Sequence, residues 1–525
     1  MSLDAFLHNL NADPYKSRPL EWEVDWEDAP LKYKLYRGLP AVSLSSEVPL
    51  ELGSRKLAAR PDLSGVGHLL WYMYGLTQWS HSYAANTMNQ TASPILMHRR
   101  FVPSGGGLYP NEIYVYLKIK DVPDGIYHYD AAHHRLILLR QGDFDSFLAR
   151  ALGNRCNVSA CFGTIFVSTV FWKNYFKYNE FAYRLQGLDT GVLIGQLLEL
   201  AKRFGFEAGV YFQFLDRAVN HLLGLSDLEE SVYAVIPLST EPAKAWFFDS
   251  SDGKGVVRAA ELCRELEVVR HNHYVRSRTI KPYPTLIRMN EASMIQSSGA
   301  FRQVVAAQDA DSGVRAAYLP RVNRLKYDLA AICRKRYSPE AEFVMSKVPE
   351  TQVAALLQEA SASFKYRNDL DGLQNKPISR VSLYGCIYNV EGVPDGAYRY
   401  DATTHALRRI FPGDHRFRLQ HGMYLGNVNL LHVPLCFHVT GNKDFFKPEL
   451  GYRGYRIQQM EAGILVQRLL LAASAIGMGG RPLLGFHAST CDELYKIASQ
   501  GKISLIQIPI GPYRHSSRLE GGLHT

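Results

Sequence analysis

The spacing of apolar residues predicts a strand, a tight turn and a second strand in the first half of the chain. Aromatic and β-branched residues alternate with other residues in EIYVYLKI (112–119), which is typical of a strand. VPDG, which begins at Val122, is a turn sequence, and IYHYD after it predicts the returning strand. Tyr127 and Tyr129 alternate along that second strand, so we expect them to pack on the sheet.

A long helix is predicted in the stretch that begins at Ala182. Leu188, Val192, Gly195 and Leu198 recur at helical spacing and lie on one face. Because the glycines among them have no side chain, a second helix can come close. We therefore expect this helix in the core.

Both patterns recur in the second half of the chain. VPDGIYHYD at Val122 returns as VPDGAYRYD at Val393, 271 residues later, and the helix at Ala182 returns at Gly454, 272 residues later. The repeat predicts two copies of one α+β unit, fused like a homodimer, with a site at the interface between the copies. The predicted divisions are an N-terminal extension (1–60), a first unit (61–250), a spacer (251–325) and a second unit (326–525).

Composition narrows the possible functions. Among 525 residues, 59 are Lys or Arg and 50 are Asp or Glu, and the net charge of +9 is spread without a basic run, so nucleic-acid binding is not expected. The seven cysteines show no metal-ligand spacing, which predicts reduced, buried thiols and no metal site. The first residues do not resemble a signal peptide and no apolar run is long enough for a membrane span, so we expect a cytoplasmic protein without a membrane partner.

A glycine-rich motif, PSGGGLYPNE, leads into the first predicted strand. Residues 104–107 carry no bulky side chain, so their backbone N–H groups can approach a planar ring system or its attached chain. The alternative is a flexible turn. The flanking Pro103 and Pro110 favour a shaped loop.

This motif, with the VPDG turn behind it, resembles the signature of SagB-type dehydrogenases, which belong to the FMN-dependent nitroreductase superfamily. The resemblance extends over both halves of the chain and implies two tandem nitroreductase-like units that form an internal pseudo-dimer. It also implies FMN as the cofactor. The flavin-facing residues would be Pro103, Ser104, Gly105 and Gly106.

The second half resembles the phosphate-binding side of the same superfamily. In CRKRYSP, Arg336 and Ser338 match the opening motif of the family. Glu340 stands where a second arginine is usual, and Arg334 is the expected substitute.

Two further stretches of the second half also resemble flavin-binding segments of the family. MGGRPLLGF resembles the loop that meets the flavin edge, with Leu484 and Gly485 at the contacting positions, and IPIGPYRHSSR resembles the closing strand, with Arg514 and Arg518 as phosphate ligands. The first half has lost the glycines in its corresponding stretch, and the second half reads NKPISRVSLYG in place of PSGGGLYP. These complementary losses predict one composite FMN site per chain.

Lys177 and Tyr178 match a Lys-Tyr pair associated with catalysis in the azoline oxidases of this family, whereas the second half has no such pair. Aromatising an azoline ring removes one proton and one hydride, so a base is needed beside the ring. A nearby ammonium favours a tyrosine phenolate, and burial tunes both groups. Adjacent residues of a regular helix do not face each other, so either the backbone is irregular at Asn179 or the two side chains have separate roles. The alternative for the pair is a surface lysine beside a half-buried tyrosine.

The resemblance implies an FMN-dependent oxidase that converts thiazoline or oxazoline rings to thiazoles or oxazoles, with dioxygen reoxidising the flavin. The substrate would be an azoline-containing peptide, free or presented by a peptide-synthetase carrier domain. Residues 1–60 are short for the leader-binding domain fused to some relatives, which favours the carrier-bound form. The alternatives are an NAD(P)H-dependent nitroreductase, a dehydrogenase that forms α,β-unsaturated peptides, and a flavin-free docking scaffold. Oligomerisation beyond the pseudo-dimer is left open.

Overall fold

The structure is a computed structural model that describes residues 1–12, 22–53, 61–86, 91–241, 246–247, 255–304, 316–371, 379–515 and 519–522. Its helices are α1 (Leu3–Ala12), α2 (Leu63–Tyr74), α3 (Asp145–Ala151), α4 (Trp172–Tyr178), α5 (Ala182–Phe204), α6 (Asp216–Leu223), α7 (Ala259–Glu265), α8 (Pro284–Ser293), α9 (Leu329–Lys335), α10 (Glu350–Phe364), α11 (Arg416–His421), α12 (Lys447–Leu450), α13 (Arg453–Ala475) and α14 (Ala488–Leu494). Its strands are β1 (Ala41–Ser43), β2 (Gln78–Asn86), β3 (Thr91–Arg99), β4 (Asn111–Leu117), β5 (Gly125–Asp130), β6 (Arg135–Gln141), β7 (Gly163–Val170), β8 (Glu207–Ala208), β9 (Glu230–Ser239), β10 (Ala316–Tyr318), β11 (Ser382–Ile387), β12 (Gly396–Asp401), β13 (Ala406–Pro412), β14 (Leu435–Asn442), β15 (Gly479–Gly480), β16 (Lys502–Gly511) and β17 (Leu519–Gly522).

Two seven-stranded antiparallel sheets have strand orders that correspond one to one. The first runs β1-β6-β5-β4-β7-β9-β8 and the second runs β10-β13-β12-β11-β14-β16-β15. Asn111 pairs with Thr169 between β4 and β7, and Ser382 pairs with Thr440 between β11 and β14, so the register repeats with the spacing found in the sequence. The predicted α+β class and the tandem units are confirmed.

The central strand β4 separates two apolar cores. All seven of its residues are buried. Ile113 and Val115 belong to the core that includes α5, whereas Tyr114 and Tyr116 belong to a second core on the other face of the sheet. Alternate side chains of EIYVYLKI therefore point into two different apolar cores, because both faces of the sheet are covered.

Helices α5 and α13 cross at the centre and join the two units. Both are buried along almost their whole length. An added Cβ at Gly187 would lie 2.7 Å from the Gln459 Cβ, and one at Gly191 would overlap the main-chain carbonyl of Met460. Gly463 makes the reciprocal close approach to α5. The close helix packing predicted from the glycines is what the structure shows.

A third sheet links the second unit to the first. In it β17 pairs with β2, which pairs with β3. The edge strands β1 and β10 belong to the two large sheets, although β1 lies in the predicted N-terminal extension and β10 in the predicted spacer. A strand of three residues carries too little alternation to be recognised in a sequence. Across the described ranges, no helix combines the length and apolarity that a membrane crossing requires.

Candidate functional site

The glycine-rich loop between β3 and β4 is held in one conformation by Ser104. The Ser104 hydroxyl donates a hydrogen bond to Asp189 (2.6 Å) and accepts one from the backbone N–H of Tyr109 (2.9 Å). The Ser104 carbonyl accepts a hydrogen bond from the Gly107 N–H (2.9 Å). One residue therefore ties both ends of the loop to each other and to α5.

The tip of this loop requires glycine. Gly106 and Gly107 have φ values of 64° and 66°, in the left-handed region. A Cβ at Gly106 would also lie 2.5 Å from the Tyr178 hydroxyl oxygen and 3.0 Å from the Lys177 Nζ. Both side chains of the predicted catalytic pair thus converge on the loop tip.

An irregular backbone at the end of α4 allows Lys177 and Tyr178 to converge although they are adjacent in sequence. Lys177 and Tyr178 end α4, and Tyr178 already departs from helical geometry, with φ of −104° and ψ of −4°. Asn179 follows with φ of 53° and ψ of −141°. The structure therefore shows the first arrangement considered from the sequence, an irregular backbone at Asn179.

Burial favours the uncharged form of both groups. It lowers the pKa of the Lys177 amine. It raises the pKa of Tyr178 to about 12, and the negative charge of Asp189 adds to that rise while Arg481 opposes it. An uncharged amine accepts a proton and an uncharged phenol donates a hydrogen bond. Burial thus acts against the tyrosine phenolate considered from the sequence and toward an uncharged Lys177 amine.

A buried ion pair fixes α4 against the strand that follows the loop. Glu112 pairs with Lys173, which lies one helical turn before Lys177, and is hydrogen-bonded to the His128 Nε2 at 2.7 Å. The side chains of this pair and of His128 are all buried. The second unit has Leu383 at the position of Glu112, so it cannot form the same pair.

Asp189 is a site residue that the sequence patterns did not single out. It accepts hydrogen bonds from the Ser104 hydroxyl and from the Gly105 backbone N–H (3.1 Å). Burial nevertheless raises its pKa to about 7. Its place on the buried face of α5, opposite a glycine loop, becomes visible only when the two segments are packed together.

We expect Asp189→Asn to keep the loop in place but to change how stability depends on pH. The native pKa lies above that of an unfolded aspartate, so the native state keeps a proton that the unfolded state has lost, and stability falls as the pH rises toward 7. Asparagine does not ionise. The free energy of unfolding of the variant, relative to that of the wild type, should therefore rise by about 1.4 kcal/mol per pH unit between about pH 5 and 7. Urea denaturation of both proteins across this pH range measures the difference in stability. A difference that does not change with pH would contradict the raised pKa.

The second unit brings cations to the same loop. Arg336 donates hydrogen bonds to the carbonyl of Phe101 (2.8 Å), just before the motif, and to the Ser338 hydroxyl (3.2 Å). Burial lowers the pKa of Arg336, and the nearby positive charge of Arg99 lowers it further. The predicted Arg336 and Ser338 therefore lie beside the glycine motif, across the interface between the units.

Arg334, the expected substitute for the missing arginine, and Arg481 have different hydrogen-bond partners. The Arg334 guanidinium donates to the Leu50 carbonyl (2.8 Å) and is engaged there. Arg481 instead binds the Ser338 carbonyl (3.1 Å) and the carboxylate of Glu340 (2.7 Å), the residue that replaces the usual arginine. Arg481 is remote in sequence from that motif, which is why the sequence favoured Arg334.

The structure describes three of the four remaining predicted cofactor residues. Leu484 is half-buried against the main core, and the Gly485 carbonyl accepts a hydrogen bond from the Tyr424 N–H (2.9 Å). Arg514 is exposed. Arg518 lies outside the described residues.

These surroundings fit a flavin mononucleotide. The loop tip has no side chain at Gly105, Gly106 and Gly107, so a planar ring edge can approach its backbone closely. Three guanidinium groups, those of Arg99, Arg336 and Arg481, belong to the same region, and a phosphate needs such donors. The first unit supplies the loop and the second unit supplies two of the cations.

A buried ion-pair network surrounds the counterpart of Asp189 in the second unit. Glu461, the counterpart of Asp189, pairs with Arg380 (2.7 Å), which also pairs with Asp371 (2.5 Å), and all three are buried. Asp369 in the same segment accepts hydrogen bonds from two backbone N–H groups of the first unit. Within the described ranges, the glycine-lined arrangement therefore occurs once.

Comparison with known proteins gives one family match to each unit. The model of the nitroreductase family matches residues 84–238 and 333–511. Trifolitoxin-processing protein TfxB of Rhizobium leguminosarum is 32% identical over 142 residues, which are 25% of this chain and 37% of that protein. A Methanocaldococcus jannaschii protein assigned as a nitroreductase is 25% identical over 134 residues, 25% of this chain and 64% of that protein. The matched part is less than two thirds of either relative.

A solved structure resembles the whole chain. A crystal structure of a protein from Anabaena variabilis, also assigned as a nitroreductase, matches with a TM-score of 0.74 and 22% identity. The match covers 98% of this chain and 99% of that one. The likeness thus extends to the arrangement of both units.

Proposed function

The chain belongs to the nitroreductase family, and from this premise we propose that it is an FMN-dependent oxidase that converts thiazoline or oxazoline rings of a peptide to thiazoles or oxazoles. The observation that carries the proposal is the convergence of Lys177 and Tyr178 on Gly106, in a loop that fits a flavin. The similarity to a protein named for processing trifolitoxin supports a role in the maturation of a natural product. The peptide would be free or bound to a peptide-synthetase carrier domain.

Bound FMN would supply the acceptor for the hydride that leaves the ring. The proposed contacts to the flavin come from the loop, and those to its phosphate come from the second unit. They are Pro103, Ser104, Gly105 and Gly106 for the ring system, and Arg336, Ser338 and Arg481 for the phosphate.

Lys177 and Tyr178 have separate roles in the proposed reaction. In its uncharged form, which burial favours, the Lys177 amine takes the proton from the ring carbon and becomes an ammonium, while the ring gains a double bond as proton and hydride depart. The Tyr178 hydroxyl stays protonated and donates a hydrogen bond that orients the ring. Partial burial of both side chains limits competition from water.

We expect one FMN per chain. The second unit reads NKPISRVSLYG in place of PSGGGLYP, and its counterpart of Asp189, Glu461, is paired with Arg380, which also pairs with Asp371. The measurement is the visible spectrum of the purified chain, with the flavin released by denaturation, identified and counted against protein. Two flavins per chain would contradict the single composite site, and none after addition of FMN would contradict the oxidase.

Turnover tests the proposal directly. A thiazoline-containing peptide incubated with the flavin-loaded chain in air should lose the mass of two hydrogen atoms, with uptake of dioxygen. A chain that leaves the peptide unchanged but reduces a nitroaromatic compound with NAD(P)H would be a nitroreductase instead.

A further inference from the structure

An exposed tryptophan lies beside the proposed base. The Trp26 side chain is 55% exposed, although large aromatic residues are mostly buried. The Lys177 Nζ lies 5.3 Å from the centre of the Trp26 ring. No acid pairs with Lys177 among the described residues, and its amine lies near this ring, the Tyr178 ring (4.9 Å) and the loop tip.

The segment that carries Trp26 is fixed to the protein at both ends. The Trp22 indole N–H donates to the carbonyl of Phe176 (3.0 Å), on α4. Asp28 accepts hydrogen bonds from the backbone N–H groups of Arg278 (2.7 Å) and its neighbour in the spacer. Asp25 closes a turn around Trp26 by accepting two backbone hydrogen bonds. The tryptophan therefore stands on a well-anchored turn.

The plane of the indole is also fixed. Its ring centre lies 5.4 Å from that of Phe176, and the two rings are perpendicular. Perpendicular packing of this kind is a favourable aromatic arrangement. It orients the ring while more than half of the side chain remains exposed.

We propose that Trp26 is the substrate-binding surface of this site, on which the five-membered heterocycle of the substrate packs next to Lys177. The inference rests on the proposed function and adds to it the residue that recognises the ring. An indole offers a flat apolar face at low cost in side-chain entropy, which suits a planar or nearly planar ring. The flavin contacts come from the two repeated units, whereas this surface comes from the N-terminal segment outside them.

No equivalent of this surface occurs among the described residues of the second unit. Lys447, the lysine in the stretch that corresponds to α4, pairs with Asp4 and packs over Tyr452 at 4.6 Å. That lysine is engaged with an acid, whereas Lys177 faces an exposed aromatic ring. The added N-terminal segment thus serves the one position where the glycine loop is present.

The test compares Trp26→Ala and Trp26→Phe with the wild type, all loaded with FMN. Isothermal titration calorimetry measures binding of a thiazole-containing product peptide, and steady-state kinetics give KM and kcat for the thiazoline. We expect Trp26→Ala to weaken product binding and raise KM by about tenfold, and Trp26→Phe to change both by less than about threefold. Flavin content and flavin absorption should stay unchanged. Tyr274→Ala is the matched control, because Tyr274 is an exposed spacer aromatic (41%) with the Arg37 guanidinium over its ring.

Each other outcome has a separate meaning. A lower kcat and a shifted pH profile with unchanged KM and binding would overturn the inference, since Trp26 would then only position Lys177. Normal product binding and KM in Trp26→Ala would overturn it as well. If the wild type binds the thiazole peptide without oxidising any thiazoline, and Trp26→Ala weakens that binding, the inference stands while the proposed oxidase fails. If the wild type neither binds the thiazole peptide nor oxidises a thiazoline, the inference and the proposed oxidase both fail.

Discussion

Replacing Lys177 by alanine should lower kcat by about a hundredfold to ten-thousandfold, because the variant has no group to take the ring proton. FMN content should not change, since the loop is held by Ser104 and Asp189. In the wild type, kcat should rise with pH through a pKa below the 10.5 of an unperturbed lysine, because burial favours the uncharged amine. That rise should be absent in the variant. Steady-state kinetics across a pH series measure both effects.

The repeat supplies a matched control for this substitution. Lys447→Ala removes the lysine of the corresponding stretch in the second unit. This lysine pairs with Asp4 and not with the glycine loop. The kcat and pH profile of this variant should match those of the wild type. An equal loss in both variants, or wild-type turnover in Lys177→Ala, would show that Lys177 is not the base.

Gly191→Ala should cost about 3 kcal/mol of the free energy of unfolding, near the upper end for overpacking in a core. The new Cβ would overlap the main-chain carbonyl of Met460, and a backbone cannot move aside as a flexible side chain does. The gain in helix propensity from glycine to alanine, about 1 kcal/mol, offsets only part of the cost. Urea denaturation of both proteins gives the difference.

Two further variants make this test decisive. Gly426→Ala adds a methyl group where no atom lies within 4 Å, so its stability should stay within about 0.5 kcal/mol of the wild type. Gly195→Ala meets the Cβ of Gln467 at 2.9 Å and should give a smaller loss that is measurable even if Gly191→Ala does not fold. Wild-type stability in Gly191→Ala would mean that α5 and α13 are less closely packed than the structure shows.

The elements that the sequence predicted well are those with a strong local pattern. The strand at 112–119, the VPDG turn and the glycine-bearing helix each combine spacing with distinctive residues, and the repeat shows each of them twice. The short edge strands β1 and β10 have no such pattern, because only pairing with β6 and β13 makes them strands. Sequence spacing also could not predict that both faces of β4 are covered.

The candidate site was predictable where its residues form a motif and not where they meet through folding. The glycine loop and the Lys-Tyr pair stand out as contiguous residues. Asp189, Arg481 and Trp26 reach the same region from three distant segments, so no local pattern identifies them. The sequence also could not predict the direction in which the pKa values of Lys177 and Tyr178 shift, since desolvation depends on the packed surroundings.

The crossing of α5 and α13 within one chain has a consequence for work at low concentration. In a two-chain dimer built on the same interface, dilution would separate the partners and dismantle any site shared between them. Here the connecting polypeptide holds each unit at a high effective concentration relative to the other, on the order of millimolar for flexibly linked partners. Activity per chain should therefore remain constant on dilution far below the concentrations at which ordinary dimers dissociate.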